Sequence, residues 1–397
     1  MRILHTADWH FGRSLEGRDR LSEHAAFVDE LVTIVEEEAV DAILIAGDLY
    51  DSMNPPAAAE ELYYEALSRL SDGGRRPIVV IAGNHDQPDR LAAALPLVQS
   101  QNMYLVGMPI TGPLHVPIKS HDVTMKVAAL PYPSESRLRT SFSNNGSFDG
   151  DDLAFQQTYD ERIQQLFKQM TQSFSDDDIN IATSHIFVGG GAATDSERPI
   201  EVGGAYTVRP TSLPENVSYT ALGHLHRPQW VHHAPAPTRY AGSPLSFSFN
   251  DTGVSKSVTV IDVVPHEDAH IREIPLKSGK PLVKWQAKNG LQEVYKWLDE
   301  SASLDFWVDL SIHSDHTLRP EDIQKIRRSH PGIVTIRAVL PEEQYVEREE
   351  RRNLPIDELF KQFYEKKTGG ATPDQEITEL FLNLIDQEST EQKAGAK

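Results

Sequence analysis

The chain has 397 residues, of which 38 are Lys or Arg and 59 are Asp or Glu, so its formal net charge is −21. Apolar residues make up 39% and charged residues 24%, which is typical of a globular protein, and the length favours more than one folded unit. The charge excludes binding of nucleic acid through an overall positive field, so attraction to a polyanion would require local groups or bound cations.

The first part of the sequence alternates short apolar runs with stretches of helical periodicity. Apolar runs at residues 3–4, 42–46 and 78–82 predict buried strands. The stretches 22–39 and 57–71, which lie between these runs, predict helices. This alternation is typical of βαβαβ units, in which the strands form a parallel sheet.

The middle of the chain continues the strand pattern after a polar interruption. Residues 140–180 are rich in Ser, Asn and Asp, which predicts an acidic surface excursion around a helix near 153–171. Apolar runs at 181–182 and 219–222 predict two more buried strands. Residues 239–275 alternate apolar and polar side chains, which predicts antiparallel strands.

The last part of the sequence predicts a small α/β unit followed by a helical tail. Residues 282–340 fit the order strand, helix, strand, helix, strand, and a charged stretch at 342–353 separates them from two amphipathic helices. These helices could pack on each other or on the main body, but so small a unit buries little core alone, which favours docking onto a partner. The apolar stripes expected to face this partner contain Ile356, Leu359, Phe360, Phe363, Ile377, Leu380, Phe381 and Leu384.

Residues able to bind metal follow all five strand-like runs. Taken singly, each motif also fits a helix cap, a turn or a buried core histidine. Because the carboxyl ends of parallel strands meet at one edge of a sheet, we expect the whole set to converge. The chain has no cysteine, so the available ligands are oxygen and imidazole, which suit Mn²⁺, Fe²⁺ or Zn²⁺. A single ion does not need so many ligands, which predicts a pair of ions sharing a carboxylate. In chain order the residues are Asp8, His10, Asp48, Asn84, His85, Asp86, His185, His224 and His226.

The order DxH, GD, GNHD, H and GHxH resembles the calcineurin-like metallophosphoesterase superfamily. More narrowly, the chain is similar to the SbcD family, the nuclease subunits of bacterial SbcCD double-strand-break repair complexes. That resemblance rests on DWHFG at 8–12, AGDLYD at 46–51, GNHD at 83–86, GHLH at 223–226 and YAGSP at 240–244. It implies an α/β fold with a calcineurin-like metallophosphoesterase domain, a β-sandwich flanked by helices, over residues 1–276. A capping domain that positions DNA would span 282–340, and a two-helix tail that binds the ATPase partner would span 354–388.

The resemblance also implies roles for individual residues. Asp48 would bridge two divalent ions, His85 would be the catalytic histidine, and Asp86 would orient it. Chemically, His85 suits a general acid for the leaving 3′ oxygen, or a donor to the charge that develops there. Archaeal and eukaryotic relatives tend to carry a histidine three positions after the bridging aspartate, whereas this chain has Asp51, so no proton role for a histidine is expected there. One ion would be held by Asp8, His10 and His226, and the other by Asn84, His185 and His224.

The activity implied by the resemblance is that of a DNA nuclease dependent on Mn²⁺. It would be a 3′–5′ exonuclease on duplex DNA and an endonuclease on single strands and hairpins, with roles in repair, recombination and replication. Its partner would be an SbcC-type coiled-coil ATPase, with a homodimer inside a heterotetramer. Two alternatives stay open: a phosphoesterase of small molecules or phosphoproteins, and a non-catalytic scaffold for the ATPase whose metals are structural.

Basic residues near the first motif are candidate contacts for DNA phosphates. Arg13, Arg18 and Arg20 follow this motif, although a solvated basic loop would look the same. Arg137 is expected in a surface turn.

No apolar run approaches the ~18 residues needed to cross a bilayer. We therefore expect a cytoplasmic protein with no membrane contact, and the resemblance implies association with the nucleoid. Because the net charge is −21, we expect DNA binding by this chain alone to be weak and dependent on metal.

Overall fold

The computed structural model describes residues 1–138, 158–197, 206–301 and 304–340, together with scattered positions in the tail. Those positions are 358, 360, 361, 364, 372–375, 377, 378, 380 and 381. Much of the predicted acidic excursion lies outside the described residues. Among the tail residues predicted to face a partner, Ile356, Leu359, Phe363 and Leu384 also lie outside them.

The secondary structure follows the predicted alternation in the first part of the chain. The helices are α1 (Leu21–Glu37), α2 (Ala57–Ser71), α3 (Pro88–Ala93), α4 (Leu95–Val98), α5 (Tyr159–Met170), α6 (Leu291–Glu300) and α7 (Pro320–Ser329). The strands are β1 (Arg2–Thr6), β2 (Ala42–Ala46), β3 (Ile78–Ile81), β4 (Met103–Val106), β5 (Leu114–Ile118), β6 (Val123–Leu130), β7 (Ile179–His185), β8 (Tyr219–Gly223), β9 (Gln229–Trp230), β10 (Thr238–Tyr240), β11 (Ser257–Asp262), β12 (His270–Pro275), β13 (Leu282–Ala287), β14 (Trp307–His313) and β15 (Ile333–Val339).

The first sheet has the strand order β12-β11-β1-β2-β3-β4. Strands β1 to β4 are parallel, and the pairing of Ile3 with Ala42 and of Ile43 with Ile78 sets their register. Strands β11 and β12 extend the sheet antiparallel, as the alternating pattern of this region predicts. The parallel strands therefore end together at one edge, where Asp8, Asp48 and the residues after β3 follow.

The second sheet has the strand order β5-β6-β7-β8-β10-β9. Strands β6, β7, β8 and β10 are parallel, whereas β5 and β9 are antiparallel edges. His185 is the last residue of β7 and pairs with Gly223, the last residue of β8. The metal-competent residues of the second half of the chain therefore lie at the carboxyl edge of this sheet.

The two sheets pack face to face, with helices on their outer sides. Ile3, Leu44 and Val79 of the first sheet share a buried core with Val127 and Ile181 of the second. On the outer face of the first sheet, α1 and α2 cover a separate apolar cluster, and α5 covers the outer face of the second. The result is the predicted β-sandwich flanked by helices, in which the inner strands β2, β3, β7 and β8 are buried on both faces.

Residue contacts divide the chain into two units. The larger comprises Met1–Trp285, Ser303–Asp309 and Pro331–Thr335, and the smaller comprises Gln286–Ala302, Leu310–His330 and Ile336–Lys397. The smaller unit contains α6 and α7, whose contacts include the Lys325 ammonium 4.3 Å from the Tyr295 ring centroid. Strands β13, β14 and β15 form a three-stranded sheet. The boundaries 1–276, 282–340 and 354–388 stay predictions.

Candidate metal centre

The seven predicted ligands converge at the carboxyl ends of strands from both sheets. Asp8 and His10 follow β1, Asp48 follows β2, Asn84 follows β3, His185 ends β7, and His224 and His226 follow β8. Apart from Asn84, all of them have a relative exposure of 9% or less. The expectation that these side chains meet therefore agrees with the structure, while their roles as ligands stay a proposal.

An unusual backbone turns several of these side chains inward. Asp8, His10, Asp48 and His224 all have positive φ angles, at 54°, 46°, 51° and 100°. This conformation is uncommon for a residue other than glycine and costs free energy, and such strained residues tend to cluster at functional sites. The glycine before Asn84 is needed for a different reason, because a Cβ atom at Gly83 would collide with the Asp48 carboxylate. The GNHD spacing therefore reflects the close approach of two strand ends.

Asp8, His10 and His226 form a first cluster. The Nε2 atoms of His10 and His226 are 3.0 Å apart. One ligand atom from each of the three residues lies within 4.8 Å of the others. Asp48 reaches the same cluster, because its Oδ2 atom lies 3.5 Å from His10 Nε2.

Asn84, His185 and His224 form a second cluster. Asn84 Oδ1 lies 2.9 Å from His185 Nε2 and 3.1 Å from His224 Nδ1. Asp48 Oδ2 also lies 3.3 Å from His185 Nε2. The same carboxylate oxygen therefore faces a histidine of each cluster, which is the arrangement expected of a bridging ligand.

Protonation of these groups follows from burial and from their mutual charges. Burial alone would raise the pKa of Asp48, but the imidazoles around it, His185 first, hold that pKa well below its usual range. Burial opposes the charged form of His185, yet Asp48 raises the pKa of His185 to about 9. Burial lowers the pKa of His10 to about 4 and that of His224 to about 3, and lowers the pKa of His226 well below its ordinary value. These last three imidazoles are therefore neutral near pH 7, which is the form that binds metals.

The donor set fits divalent cations. Asp8 Oδ2 is buried and has no hydrogen-bond partner within the described residues. Burial, followed by the charge of Asp48, raises the pKa of Asp8 well above its ordinary value. Burying an unpaired carboxylate oxygen costs free energy, and a cation at this position would offset that cost. Carboxylate, amide and imidazole donors suit Mn²⁺, Fe²⁺ or Zn²⁺.

His85 lies beside the two clusters with its ring held from one side. Its Nδ1 atom is 2.6 Å from the Asp51 carbonyl oxygen, to which it donates a hydrogen bond, and its Nε2 atom is 4.0 Å from Asp48 Oδ2. The ring also packs edge-on against His10, with centroids 4.7 Å apart. Its Nε2 atom therefore faces the clusters, and the group that orients the ring is a carbonyl rather than the side chain of Asp86.

The Asp86 side chain binds backbone groups, whereas the sequence predicted that it would orient His85. Its carboxylate accepts hydrogen bonds from the backbone N–H groups of Gly83 at 2.8 Å, Leu49 at 3.0 Å and Tyr50 at 3.2 Å. Burial, and then the charge of Asp48, raise the pKa of Asp86 to about 6. Asp86 therefore ties the loop after β2 to the loop after β3, because its oxygens are occupied by backbone donors of both.

The three candidate DNA-contact arginines differ in exposure. Arg18 is exposed. Arg13 donates to the Ser196 carbonyl at 2.7 Å, and its guanidinium lies 4.7 Å from the Phe247 ring centroid. Arg20 is 1% exposed and pairs with Glu23 through two hydrogen bonds, of 2.9 Å and 2.7 Å. This burial argues against a DNA contact for Arg20, whose charge is already neutralised inside the protein.

Sequence reasoning missed several residues that support the centre. Arg137 lies in the core rather than in the expected surface turn, and donates to the carbonyls of Gly83 at 3.0 Å and Asp86 at 2.9 Å. The buried Lys256 ammonium donates to the His226 carbonyl at 2.8 Å, and burial lowers its pKa to about 8. The segment 194–197 contacts His226 directly. None of these residues follows a strand end, so the pattern that revealed the ligands gave no signal for them.

An open cleft of about 750 Å³ borders the second cluster. Asn84 and His224 lie on its wall, together with the aromatic side chains of Tyr132, Tyr159 and Phe187. The Tyr132 ring is stacked on His224, with centroids 6.4 Å apart. A substrate in this cleft would therefore meet aromatic surface immediately beside the candidate ligands.

Comparison with known proteins identifies the family. Residues 1–228 match the family model described as calcineurin-like phosphoesterase, and residues 278–368 match the one described as type 5 capsule protein repressor C-terminal domain. A Bacillus subtilis protein, named as the SbcD subunit of the nuclease SbcCD, is 54% identical over 97% of this chain and 97% of its own. The chain belongs to the SbcD family.

Other SbcD-family proteins carry the same name at lower identity. The relative from Rhodobacter capsulatus is 32% identical over 77% of each chain, and the one from Escherichia coli is 27% identical over 97% of this chain and 98% of its own. Membership in the SbcD family confirms the predicted resemblance and the calcineurin-like phosphoesterase fold, and with them the predicted class of phosphoester hydrolase. Among the described residues, no helix has the length and apolar character needed to span a membrane.

Proposed function

We propose that the protein is the nuclease subunit of an SbcCD-type complex, which hydrolyses phosphodiesters of DNA with two divalent ions and acts with an SbcC-type ATPase. The observation that carries this proposal is the convergence of two donor clusters on Asp48, with His85 beside them. Relatives that cover nearly the whole chain are named as subunits of the nuclease SbcCD, and this name supports the substrate and the partner.

The proposed ligand sets follow the two clusters. Asp8, His10 and His226 would hold one ion, Asn84, His185 and His224 the other, and Asp48 would contact both. When bound, the ions supply charge neutralisation of the phosphate and activation of the attacking water. Mn²⁺ is the proposed metal, because it is one of the cations that these donors suit and the one that the resemblance to the SbcD family implies.

His85 would act on the leaving oxygen. Its Nδ1–H is committed to the Asp51 carbonyl, so the nitrogen free to exchange a proton is Nε2, which faces the clusters. A proton carried there can pass to the 3′ oxygen as the P–O bond breaks, or can stabilise the negative charge on that oxygen. The edge-on contact with His10 limits rotation of the ring and so helps to hold Nε2 in place.

DNA and the ATPase would meet different parts of the chain. The exposed Arg18 and the aromatic cleft beside His224 are the proposed surfaces for the nucleic acid. In the tail, Phe360 and Phe381 have stacked rings 3.9 Å apart, and Leu380 is 61% exposed. We propose that these helices bind the coiled coil of the ATPase, in a heterotetramer that contains two copies of this chain and is associated with the nucleoid.

The test is cleavage of end-labelled linear duplex, single-stranded and hairpin DNA by the purified protein, with and without an SbcC-type ATPase and ATP. With Mn²⁺ we expect shortening of the duplex from its 3′ ends and cutting of the single-stranded and hairpin substrates. His85→Ala should lower cleavage by at least about 100-fold, because a general acid contributes roughly 10²–10⁴-fold. Elemental analysis should find the same Mn²⁺ content in this variant.

The matched control is His232→Ala, which removes an exposed histidine outside the clusters and should leave cleavage unchanged. Loss of Mn²⁺ in parallel with activity would make His85 a ligand and overturn its assigned role. Turnover of a small aryl phosphodiester without any cleavage of DNA would favour the phosphoesterase alternative. Bound Mn²⁺ with no hydrolysis of either substrate would favour the scaffold.

A further inference from the structure

A short polar segment, residues 194–197, contacts the candidate ligand His226 on the side away from the first cluster. Ser196 Oγ lies 2.6 Å from His226 Nδ1, while His226 Nε2 points to His10 Nε2. Ser196 is 6% exposed, so water does not compete freely for this contact. The second ring nitrogen of His226 therefore has a defined protein partner.

The hydrogen bonds behind Ser196 have a fixed direction. Thr194 Oγ1 lies 2.8 Å from Glu197 Oε2, and because a carboxylate only accepts, Thr194 must donate its hydroxyl proton there. Thr194 Oγ1 also lies 2.7 Å from Ser196 Oγ. Since the Thr194 proton is already committed, Ser196 must donate in this second bond. Ser196 Oγ can then only accept from His226, so the proton of His226 lies on Nδ1 and the lone pair on Nε2.

The same segment also holds the backbone of His226. Glu197 Oε1 accepts from the His226 backbone N–H at 2.8 Å, and Glu197 Oε2 accepts from the Thr194 backbone N–H at 2.6 Å. Arg13 fixes the segment from the other side through its hydrogen bond to the Ser196 carbonyl. The hydrogen bonds that begin at the His226 ring therefore end on the Glu197 carboxylate, which also accepts the backbone N–H of His226. The ring and the backbone of His226 are thus held by the same group.

From this geometry we infer that Ser196, Thr194 and Glu197 are positioning residues that fix the tautomer and orientation of His226, so that its Nε2 lone pair is presented to a cation. The inference rests on the proposed role of His226 as a ligand. Partners of this kind hold the ring of a metal-binding histidine and increase its basicity, and their loss usually weakens metal affinity by about 10–100-fold. Here two hydroxyl side chains would relay the effect of the Glu197 carboxylate to the imidazole.

The experiment measures the tautomer and the metal affinity separately. In metal-free protein with ¹⁵N-labelled histidine rings, long-range ¹H–¹⁵N correlation should show His226 protonated on Nδ1, with His226→Asn used to assign its signals. Ser196→Ala should give a mixture of tautomers. In titrations with Mn²⁺ followed by calorimetry, this variant should bind at one of two sites about 10–100-fold more weakly, with the other site unchanged.

Further variants separate the relay from a general loss of structure. Ser196→Thr keeps the hydroxyl and should restore both readouts. Thr194→Val keeps the shape but removes the acceptor that directs Ser196, so it should also produce mixed tautomers, and it replaces Ser196→Ala if that variant does not fold. Asp195→Ala is the control, because this exposed carboxylate contacts Asn250 rather than His226. It should behave as the unaltered chain.

A proton on Nε2 of His226 in the unaltered protein would overturn the inference. So would unchanged tautomer and unchanged Mn²⁺ affinity in both Ser196→Ala and Thr194→Val. Failure to cleave DNA, with the expected tautomer and the expected loss of Mn²⁺ affinity, would count against the nuclease proposal and would support the relay. The two proposals therefore fail in different measurements.

Discussion

His5 lies on β1 with its side chain fully buried, and its Nδ1 atom is 3.0 Å from the Tyr219 hydroxyl. Burial, and then the nearby Arg239 guanidinium, lower the pKa of His5 to about 3. In the unfolded chain a histidine titrates near pH 6.5. Between these two values the unfolded state binds a proton that the folded state does not bind, so the free energy of unfolding falls as the pH decreases through this window.

Replacing His5 should therefore weaken the dependence of the free energy of unfolding on pH. Between about pH 7.5 and about pH 5, His5 should account for about 2 kcal/mol of lost stability, and His5→Gln should remove that part of the loss. Urea unfolding of both proteins at the two pH values measures this difference. His232→Gln, at an exposed position, is the control and should leave the pH dependence unchanged. Parallel pH profiles for His5→Gln and the unaltered chain would contradict the prediction.

Asp86 joins the two loops that follow β2 and β3. Its carboxylate is 1% exposed and accepts backbone N–H groups from Leu49, Tyr50 and Gly83. These two loops carry Asp48 and Asn84, so the position of Asn84 relative to the Asp48 carboxylate depends on this connection. A buried N–H group left without an acceptor costs about 1–3 kcal/mol.

Asp86→Ala should thus lower the free energy of unfolding by at least about 2 kcal/mol, since several backbone donors lose their acceptor together. Asp86→Asn keeps one acceptor oxygen, so its free energy of unfolding should lie between those of Asp86→Ala and the unaltered chain. Urea unfolding measures the loss, and titration with Mn²⁺ should show weaker binding in the same order. If Asp86→Ala were as stable as the unaltered chain, the connection between the loops would rest on other contacts.

The net charge of −21 limits the ways in which this chain can bind DNA. An acidic chain repels a polyanion at long range, so attraction must come from cations at the centre and from local groups such as Arg18. Arg13 and Arg20 add little, because the structure engages both within the protein. Divalent ions in the two clusters would add positive charge beside the cleft.

DNA binding by the chain alone should consequently depend on metal. For a fluorescently labelled duplex, we expect affinity in Mn²⁺ to exceed that in EDTA by at least about 10-fold, which corresponds to about 1.4 kcal/mol. Fluorescence anisotropy with the His85→Ala variant measures this without cleavage. Arg18→Ala should reduce the affinity for DNA modestly. It should also reduce the slope of log affinity against log salt concentration by about 0.9, which corresponds to the loss of one phosphate contact. Equal affinity in Mn²⁺ and EDTA would show that the attraction has another source.

The sequence alone was sufficient to predict strands and helices whose hydrophobic pattern lies within the element itself. Strands β2 and β8 and helix α2 follow from apolar runs and helical periodicity, and the predicted helix over 57–71 agrees with Ala57–Ser71. The candidate ligands could be found because each one ends or follows a strand, and parallel strands end at a common edge. Half of the tail positions in the predicted partner-binding stripe lie outside the described residues, and that stripe stays a prediction.

Other features depend on partners distant in the chain, which no local pattern encodes. Arg20 and Arg137 look like surface arginines in the sequence, yet the fold buries both against groups that neutralise them or accept their hydrogen bonds. The direction of the bonds from His226 through Ser196 to Glu197 depends on placing residues 30 positions apart within hydrogen-bond distance. The amino-acid sequence was therefore enough to predict the candidate metal ligands, because side-chain chemistry and strand position are local properties. The groups that contact these ligands could be found only in the folded structure, because their hydrogen bonds form only after the two sheets have packed.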